Sequence, residues 1–186
     1  MRILLIIIWV AMAWPLKADV NESIEYTYYN ANADSSRSLL SILNSSTPIR
    51  KDGEFFHGYT YWHVKWYFRW SEKPDGRCKI SSVTTELTCD IQLPKLLGAT
   101  SKQGDQFDRY LSALRIHELG HCQIGKKAAA TIDRKILSLP EMSNCNDLGV
   151  AGNDIGNQTL IEYKEKVKQY DAKTEYGRSQ GAWLDR

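Results

Sequence analysis

The residues that could do chemistry lie in one short segment, "RIHELGHCQIG", at residues 115–125. It contains two of the four histidines, His117 and His121, four positions apart, with Glu118 directly after the first. On an α-helix this HExxH spacing puts both imidazoles on one face, where they can bind one Zn²⁺ ion. The glutamate can then activate the zinc-bound water. We therefore predict His117 and His121 as zinc ligands and Glu118 as the catalytic base.

The surrounding sequence predicts a helix that would position this motif. Between residue 106 and about residue 137, apolar residues and both histidines recur at steps of three or four, which is the stripe of an amphipathic helix. The alternative is that two half-buried histidines simply satisfy local hydrogen bonds. The stripe members are Phe107, Leu111, Leu114, His117, His121, Ile124, Ala128 and Ile132.

A third zinc ligand is not supplied by the motif segment itself. Lys127 stands where the extended motif would carry a third histidine. Glu141 has a thermolysin-like separation from His121, but it follows Pro140 in a broken stretch, about 30 Å of helix rise away unless the chain folds back. His57 and His63 lie on or before a predicted strand and are weaker alternatives.

A last helix, predicted over 155–173, is a better source of the third ligand. If this helix returns antiparallel to the motif helix, its final turns come level with the zinc. Asp171 lies near its apolar stripe, whereas Glu162 and Glu165 point well away at about 100° per residue. We predict Asp171 as the third ligand. The alternative is that Asp171 pairs with a base or caps backbone donors.

The rest of the chain predicts a small sheet. The segment 55–70 alternates with period two from Tyr61 to Trp70, with tryptophan, valine and phenylalanine on one face. The segment 78–93 is rich in β-branched residues, and Pro94 follows it. We expect these two to form an antiparallel pair or meander. A first strand is predicted around 24–31, followed by a short Ser-capped helix. The fold class is therefore α+β: a small antiparallel sheet packed on a long HExxH-bearing helix and a C-terminal helix, zincin-like.

The first residues are typical of a secretory signal peptide. Arg2 is followed by an apolar run from Ile3 to Trp14 and then small residues. We predict a signal peptide over 1–18 and one zinc metallopeptidase-like domain over 19–186, secreted or periplasmic, without a stable membrane span after cleavage. The alternative is an uncleaved anchor.

Charge and cysteine content narrow the partners and the environment. Without Arg2 and Lys17 the chain has 22 basic and 22 acidic residues, and no basic cluster predicts nucleic-acid binding. Four cysteines behind a signal peptide predict disulfides. We favour two local pairs, Cys78–Cys89 and Cys122–Cys145. Nothing in the sequence specifies an oligomeric state.

Two motifs together resemble a known family. "HELGH" and "YDAKTEYGRSQGA" at 170–182, with the tryptophan-rich strand, are similar to a bacterial family of unknown function described as predicted secreted zinc-dependent proteases. The similarity covers most of the mature chain. HExxH alone is common, but its pairing with YDxxTxxGxxQGA is much more specific. The resemblance implies a metallopeptidase-like α+β fold.

One position departs from the pattern of that family, which commonly has a histidine where this chain has Tyr176. If that histidine is a metal ligand, this protein is altered at its own zinc. If it instead donates a hydrogen bond to the oxyanion of the transition state, tyrosine serves equally. Aspartate-liganded zinc proteases, which carry Tyr-Gly after the ligand aspartate, favour the second role. We assign Tyr176 to oxyanion stabilisation.

The sequence thus predicts a zinc-dependent metallopeptidase that hydrolyses peptide bonds in a protein or peptide substrate. A zinc hydrolase acting on a cell-wall amide has the same residues. An alternative from another class is a non-enzymatic envelope protein with a structural zinc site or a partner-binding role. A structural site would be closed by four protein ligands and would not require Glu118.

Overall fold

A computed structural model describes residues 20–184, so the predicted signal peptide lies outside the described residues. Strands and helices follow one another in an α+β arrangement, as predicted. In chain order they are β1 (Val20–Asn32), α1 (Leu39–Ser46), β2 (Arg50–Lys51), β3 (Glu54–Phe55), β4 (Tyr59–Glu72), β5 (Cys78–Leu97), α2 (Ser101–Leu137), α3 (Cys145–Thr174) and a 3₁₀ turn (Arg178–Gln180).

The main sheet has the strand order β1-β5-β4. β4 and β5 are antiparallel, as predicted, and run side by side from Tyr59 opposite Gln92 to Glu72 opposite Cys78. β1 is parallel to β5, so the sheet is mixed rather than purely antiparallel. Alternation along a strand encodes which face is buried, but it does not encode the direction of the neighbouring strand.

The apolar face of β4 packs against α2 and α3 through glycines. A Cβ atom built on any of three helical glycines would lie within 3 Å of an aromatic ring of β4, so only glycine lets the helices approach this closely. The three pairs are Gly125 with Trp62, Gly156 with Trp66 and Gly152 with Phe68. The tryptophans on this face therefore serve packing, which is their ordinary role.

These glycines also explain why α3 begins at Cys145 rather than at the predicted residue 155. A run of glycines between 149 and 156 predicts a break in a helix. In the structure two of them receive aromatic rings instead, and the packing outweighs their low helix propensity. Asn144 begins the helix because its side chain accepts a hydrogen bond from the Asp147 amide at 2.9 Å.

The disulfide prediction is wrong, because the structure pairs Cys78 with Cys145. Cys78 and Cys89 lie in the same strand, about 36 Å apart at ~3.3 Å per residue, and cannot bond. Cys122 lies in the middle of α2, whereas Cys145 starts α3 beside the first residue of β5. There Cys78 and Met142 exchange two backbone hydrogen bonds of 2.9 Å. Cys89 and Cys122 are buried free thiols.

His57, in the segment leading to β4, belongs to a buried hydrogen-bond network. Its Nε2 donates to Oδ1 of Asn44 at 2.8 Å, and its Nδ1 accepts from the Tyr110 hydroxyl at 2.6 Å. The Tyr29 hydroxyl donates to the backbone oxygen of His57 at 3.1 Å. The network fixes the backbone just before Gly58, so His57 is a packing residue and lies outside the metal-ligand cluster.

We predict a pH dependence of stability from His57. Burial lowers the pKa of its imidazole to about 4, whereas the unfolded chain takes up this proton below about pH 6.5. The contribution is therefore complete above pH 6.5 and is lost as the pH falls towards 4. A His57→Gln variant should be less stable at neutral pH, yet lose less stability on acidification. Urea unfolding at a series of pH values measures this difference.

The matched control is His63→Gln, because His63 is exposed on β4. It should retain the wild-type pH dependence. If the His57 variant loses as much stability on acidification as the wild type, the role of His57 in the pH dependence is contradicted.

Candidate metal centre

The end of α3 lies level with the HExxH segment because α2 and α3 are antiparallel. The Thr131 hydroxyl, near the end of α2, and the Tyr163 hydroxyl, near the middle of α3, hydrogen-bond at 2.9 Å. Further along, α2 runs back to His121 while α3 runs forward to Asp171, whose Oδ1 lies 3.1 Å from Nε2 of His121. The predicted return of the last helix is therefore present in the structure.

Three potential ligand atoms converge at this point. Nε2 of His117 lies 3.3 Å from Nε2 of His121, and Oδ1 of Asp171 lies 3.4 Å and 3.1 Å from these two atoms. A tetrahedral zinc site with metal–ligand distances of about 2.05 Å has edges of about 3.4 Å between ligand atoms. The three ligand atoms are thus spaced like three corners of a tetrahedron around a zinc ion.

A closed set of hydrogen bonds fixes the tautomer of His117. Its Nδ1 donates to Oε1 of Gln180 at 3.0 Å, so Nε2 presents its lone pair to Asp171. Nε2 of Gln180 donates to the Tyr170 hydroxyl at 3.1 Å, and that hydroxyl donates to the backbone oxygen of His117 at 3.2 Å. Such outer hydrogen bonds are what normally orient a metal-binding histidine.

The lone pair of His117 and the Asp171 carboxylate face one another, and both pKa values respond. Burial disfavours the imidazolium of His117, but the hydrogen bond that its protonated Nε2 donates to Asp171, together with the nearby Glu118, outweighs burial and raises the His117 pKa. Burial alone would raise the pKa of Asp171, yet the two imidazoles hold it below its usual range. The cluster therefore favours a positive charge between these groups.

The C-terminal motif packs around His117. The Tyr170 ring stacks on the His117 imidazole, with centroids 5.1 Å apart and planes 10° apart. The Thr174 hydroxyl lies 3.4 Å from Nδ1 of His117. A Cβ on Gly177 would lie 3.0 Å from Cγ of His117, and the φ of Gly177 is +86°. Each of these motif residues thus holds His117 or makes room for it.

The chain reverses sharply after α3. Glu175 and Tyr176 both have positive φ, at 51° and 53°, and Gly177 follows at 86°. This left-handed run costs a non-glycine residue about 1–2 kcal/mol, and it turns the chain back so that Gln180 reaches His117. The Tyr176 side chain is 60% exposed, and its ring packs 5.5 Å from that of Phe56. Tyr176 therefore lies at the rim of the site and packs against Phe56 in the segment that leads to β4.

Glu118 is buried between α2 and the start of β4. The Thr60 hydroxyl donates to Oε2 of Glu118 at 2.7 Å. A Cβ on Gly58 would lie 2.4 Å from Oε1, so glycine leaves room for that oxygen. Burial raises the Glu118 pKa, although Thr60 and the two histidines of the cluster oppose the shift. Glu118 is thus a carboxylate prepared to accept a proton.

The structure brings His117, Glu118, His121 and Asp171 together. The other residues that were weighed as third zinc ligands lie elsewhere. Glu141 pairs with Lys73 and Arg77 beside the disulfide, and His63 is exposed on β4. Sequence reasoning missed several supporting residues. Three of them, Thr174, Gly177 and Gln180, are fixed positions of the YDxxTxxGxxQGA motif, so the motif contained a signal for them. The other two, Gly58 before β4 and Thr60 in β4, had no signal in the sequence.

A comparison with known families decides the classification of the chain. Residues 26–177 match the family described as "Bacterial protein of unknown function (DUF922)". The chain belongs to this family. The match includes the HExxH segment, Asp171 and Tyr176, and it ends just before Gln180.

No curated protein and no solved structure matches the chain. Within residues 20–184, each helix is too short or too polar to cross a bilayer.

Gly120 provides a test of how Tyr170 supports the cluster. A Cβ at this position would lie 2.0 Å from the Tyr170 hydroxyl oxygen, so Gly120→Ala should displace Tyr170 from His117. We expect zinc affinity to fall about 10–100-fold, the range for lost outer-shell support. Competition with a chromophoric chelator measures the affinity.

The matched control is Gly104→Ala on the same helix, because a Cβ there meets nothing within 4 Å. It should keep zinc affinity and gain up to about 1 kcal/mol of stability from helix propensity. Equal zinc affinity in the two variants would contradict the supporting role of Tyr170.

Proposed function

We propose that this protein is a secreted or periplasmic zinc-dependent metallopeptidase with a zincin-like site. His117, His121 and Asp171 bind the zinc, and Glu118 is the general base. The observation that carries the proposal is the spacing of the three ligand atoms, 3.1–3.4 Å, beside a buried glutamate on the same helix. The membership of a bacterial family of unknown function is compatible with this activity.

A catalytic site is favoured over a structural one by two features. Within residues 20–184 the cluster offers three protein ligands, which leaves one position of a tetrahedron open. Structural zinc sites are instead closed by four protein ligands. In addition, a structural site gives no reason to bury Glu118, because burying a carboxylate that is not needed costs stability.

Each residue of the site has a role in peptide hydrolysis. When bound, zinc supplies a Lewis acid that makes water more acidic and polarises a carbonyl group. Glu118 accepts a proton from water at Oε1, since Oε2 is occupied by the Thr60 hydroxyl. The raised pKa of Glu118 strengthens it as a base and lets it return the proton to the leaving amine.

An extended peptide could approach along the outer edge of β4. Tyr59 starts this strand directly beside Gly58 and Thr60, the two residues that contact Glu118. Among the described residues β4 pairs only with β5, so its other edge has no strand beside it. An unpaired edge can bind a peptide as an additional strand. A peptide bound in this way would bring a scissile bond near Glu118.

The central test separates zinc binding from catalysis. Glu118→Gln should retain stoichiometric zinc and lose at least about 10²-fold in casein hydrolysis, because the general base is gone. Asp171→Asn should lose zinc affinity as well as activity. Elemental analysis and a casein assay on the mature protein measure both quantities.

The matched control is Asp154→Asn, which changes an exposed carboxylate on α3, the helix of Asp171. It should alter neither zinc content nor casein hydrolysis. Absence of zinc in the wild type would overturn the proposal. Stoichiometric zinc without casein hydrolysis would redirect it to a structural site or to a cell-wall amide. Hydrolysis of peptidoglycan fragments distinguishes these two outcomes.

Tyr176 has a separate test. If its hydroxyl donates to the oxyanion, Tyr176→Phe should lower kcat by about 10²-fold, with zinc content and KM little changed. Phe56→Leu is the control for the ring contact alone, because it keeps the hydroxyl of Tyr176. A kcat loss in the leucine variant equal to that of the phenylalanine variant would contradict a role for the hydroxyl.

A further inference from the structure

Two thiols face one another directly behind the metal ligands. Cys89 lies in the central strand β5 and Cys122 follows His121 on α2; both have 0% exposed area. In the register of the sheet Cys89 is opposite Trp62 on the face that packs on α2. Cys122 lies one turn before Gly125, whose Cα faces the Trp62 ring, so the two cysteines are on facing sides of this interface.

The helix approaches the sheet closely at this point. Gly125 lies one turn beyond Cys122, and a Cβ there would be 2.9 Å from the Trp62 ring and 3.1 Å from Leu87 Cδ1. Leu87 is two residues from Cys89 on the same strand face. A disulfide requires Cα atoms about 4.4–6.8 Å apart. The glycine contact brings the α2 backbone close to the side chains of β4 and β5 one turn from Cys122.

His121 has weaker support than His117. Its Nδ1 is buried and has no hydrogen-bond partner among the described residues, whereas Gln180 holds the same atom of His117. The orientation of the His121 ring therefore depends on the position of the α2 backbone and on the edge contact with Tyr170, 5.1 Å between centroids. A cross-link at the next residue would fix that backbone.

We propose that Cys89 and Cys122, which are free thiols in the structure, become oxidised to a second disulfide bond that ties the helix of His117 and His121 to the central strand. The two thiols lose two electrons and two protons to a disulfide donor of the oxidising compartment, which is reduced to two thiols. The bond forms before α2 closes over β5, because both sulfurs are inaccessible afterwards. The inference rests on the extracytoplasmic location in the proposed function, and the Cys78–Cys145 bond shows that the chain forms disulfides.

The test counts free thiols in the full chain purified from the periplasm, without reductant. The protein is denatured, alkylated with iodoacetamide and weighed by mass spectrometry. Two disulfides predict no alkylation, and a non-reducing digest should contain the Cys89 peptide joined to the Cys122 peptide. Two alkylated residues, at Cys89 and Cys122, would overturn the inference and leave the proposed function intact. Four would overturn the oxidising location as well.

Two variants establish what the bond does. Cys89→Ala should expose one alkylatable thiol, at Cys122, and the double variant Cys89→Ala/Cys122→Ala should expose none. If the bond fixes His121, the double variant should bind zinc about tenfold more weakly, the lower end of the range for lost outer-shell support. Should the double variant fail to fold, the single variant Cys89→Ala gives the same comparison, because it also removes the bond and leaves the Cys78–Cys145 bond in place. Unchanged zinc affinity would overturn the supporting role.

Discussion

The Nε2 lone pair of His117 and the carboxylate of Asp171 face one another at 3.4 Å, and this arrangement is stable only with a cation or a proton between them. The remaining contacts of the site preserve this arrangement. Gln180 prevents His117 from changing its tautomer, and Tyr170 prevents its ring from turning. A cation between these two groups would therefore be stabilised by both of them.

The sheet contributes to the site through its first residues in β4. Gly58 and Thr60 hold Glu118 from one side, while α3 and the 3₁₀ turn hold His117 from the other. The proposed base Glu118 and the proposed ligand His117 are consequently positioned by different parts of the chain, although they are neighbours in sequence. A change in the packing of β4 on α2 would therefore affect the proton acceptor more than the ligands.

Patterns with a fixed period were the reliable part of sequence analysis. The helical stripe placed His117 and His121 on one face, and the stripe of the last helix selected Asp171, which lies beside both. The alternation in β4 predicted its buried face. These patterns work because periodicity follows directly from backbone geometry.

Features that depend on where distant segments meet could not be read in the same way. The pairing of Cys78 with Cys145 depends on the β5 start meeting the α3 start, which no local pattern encodes. The glycines of α3 predicted a helix break, because glycines that make room for an aromatic ring look the same in the sequence as glycines that end a helix. The chain reversal at Glu175 and Tyr176 could not be predicted from the sequence, because glutamate and tyrosine seldom adopt positive φ.

The glycine notches of α3 also set a constraint on chain length. Gly152 and Gly156 seat the helix on the aromatic rings of β4, and Asp171 lies further along the same rigid helix. A substitution between Gly156 and Asp171 changes one side chain. An inserted or deleted residue would instead rotate Asp171 by about 100° and shift it ~1.5 Å along the axis, away from both histidines. The exposed positions of this stretch can therefore vary in composition, but the stretch cannot vary in length.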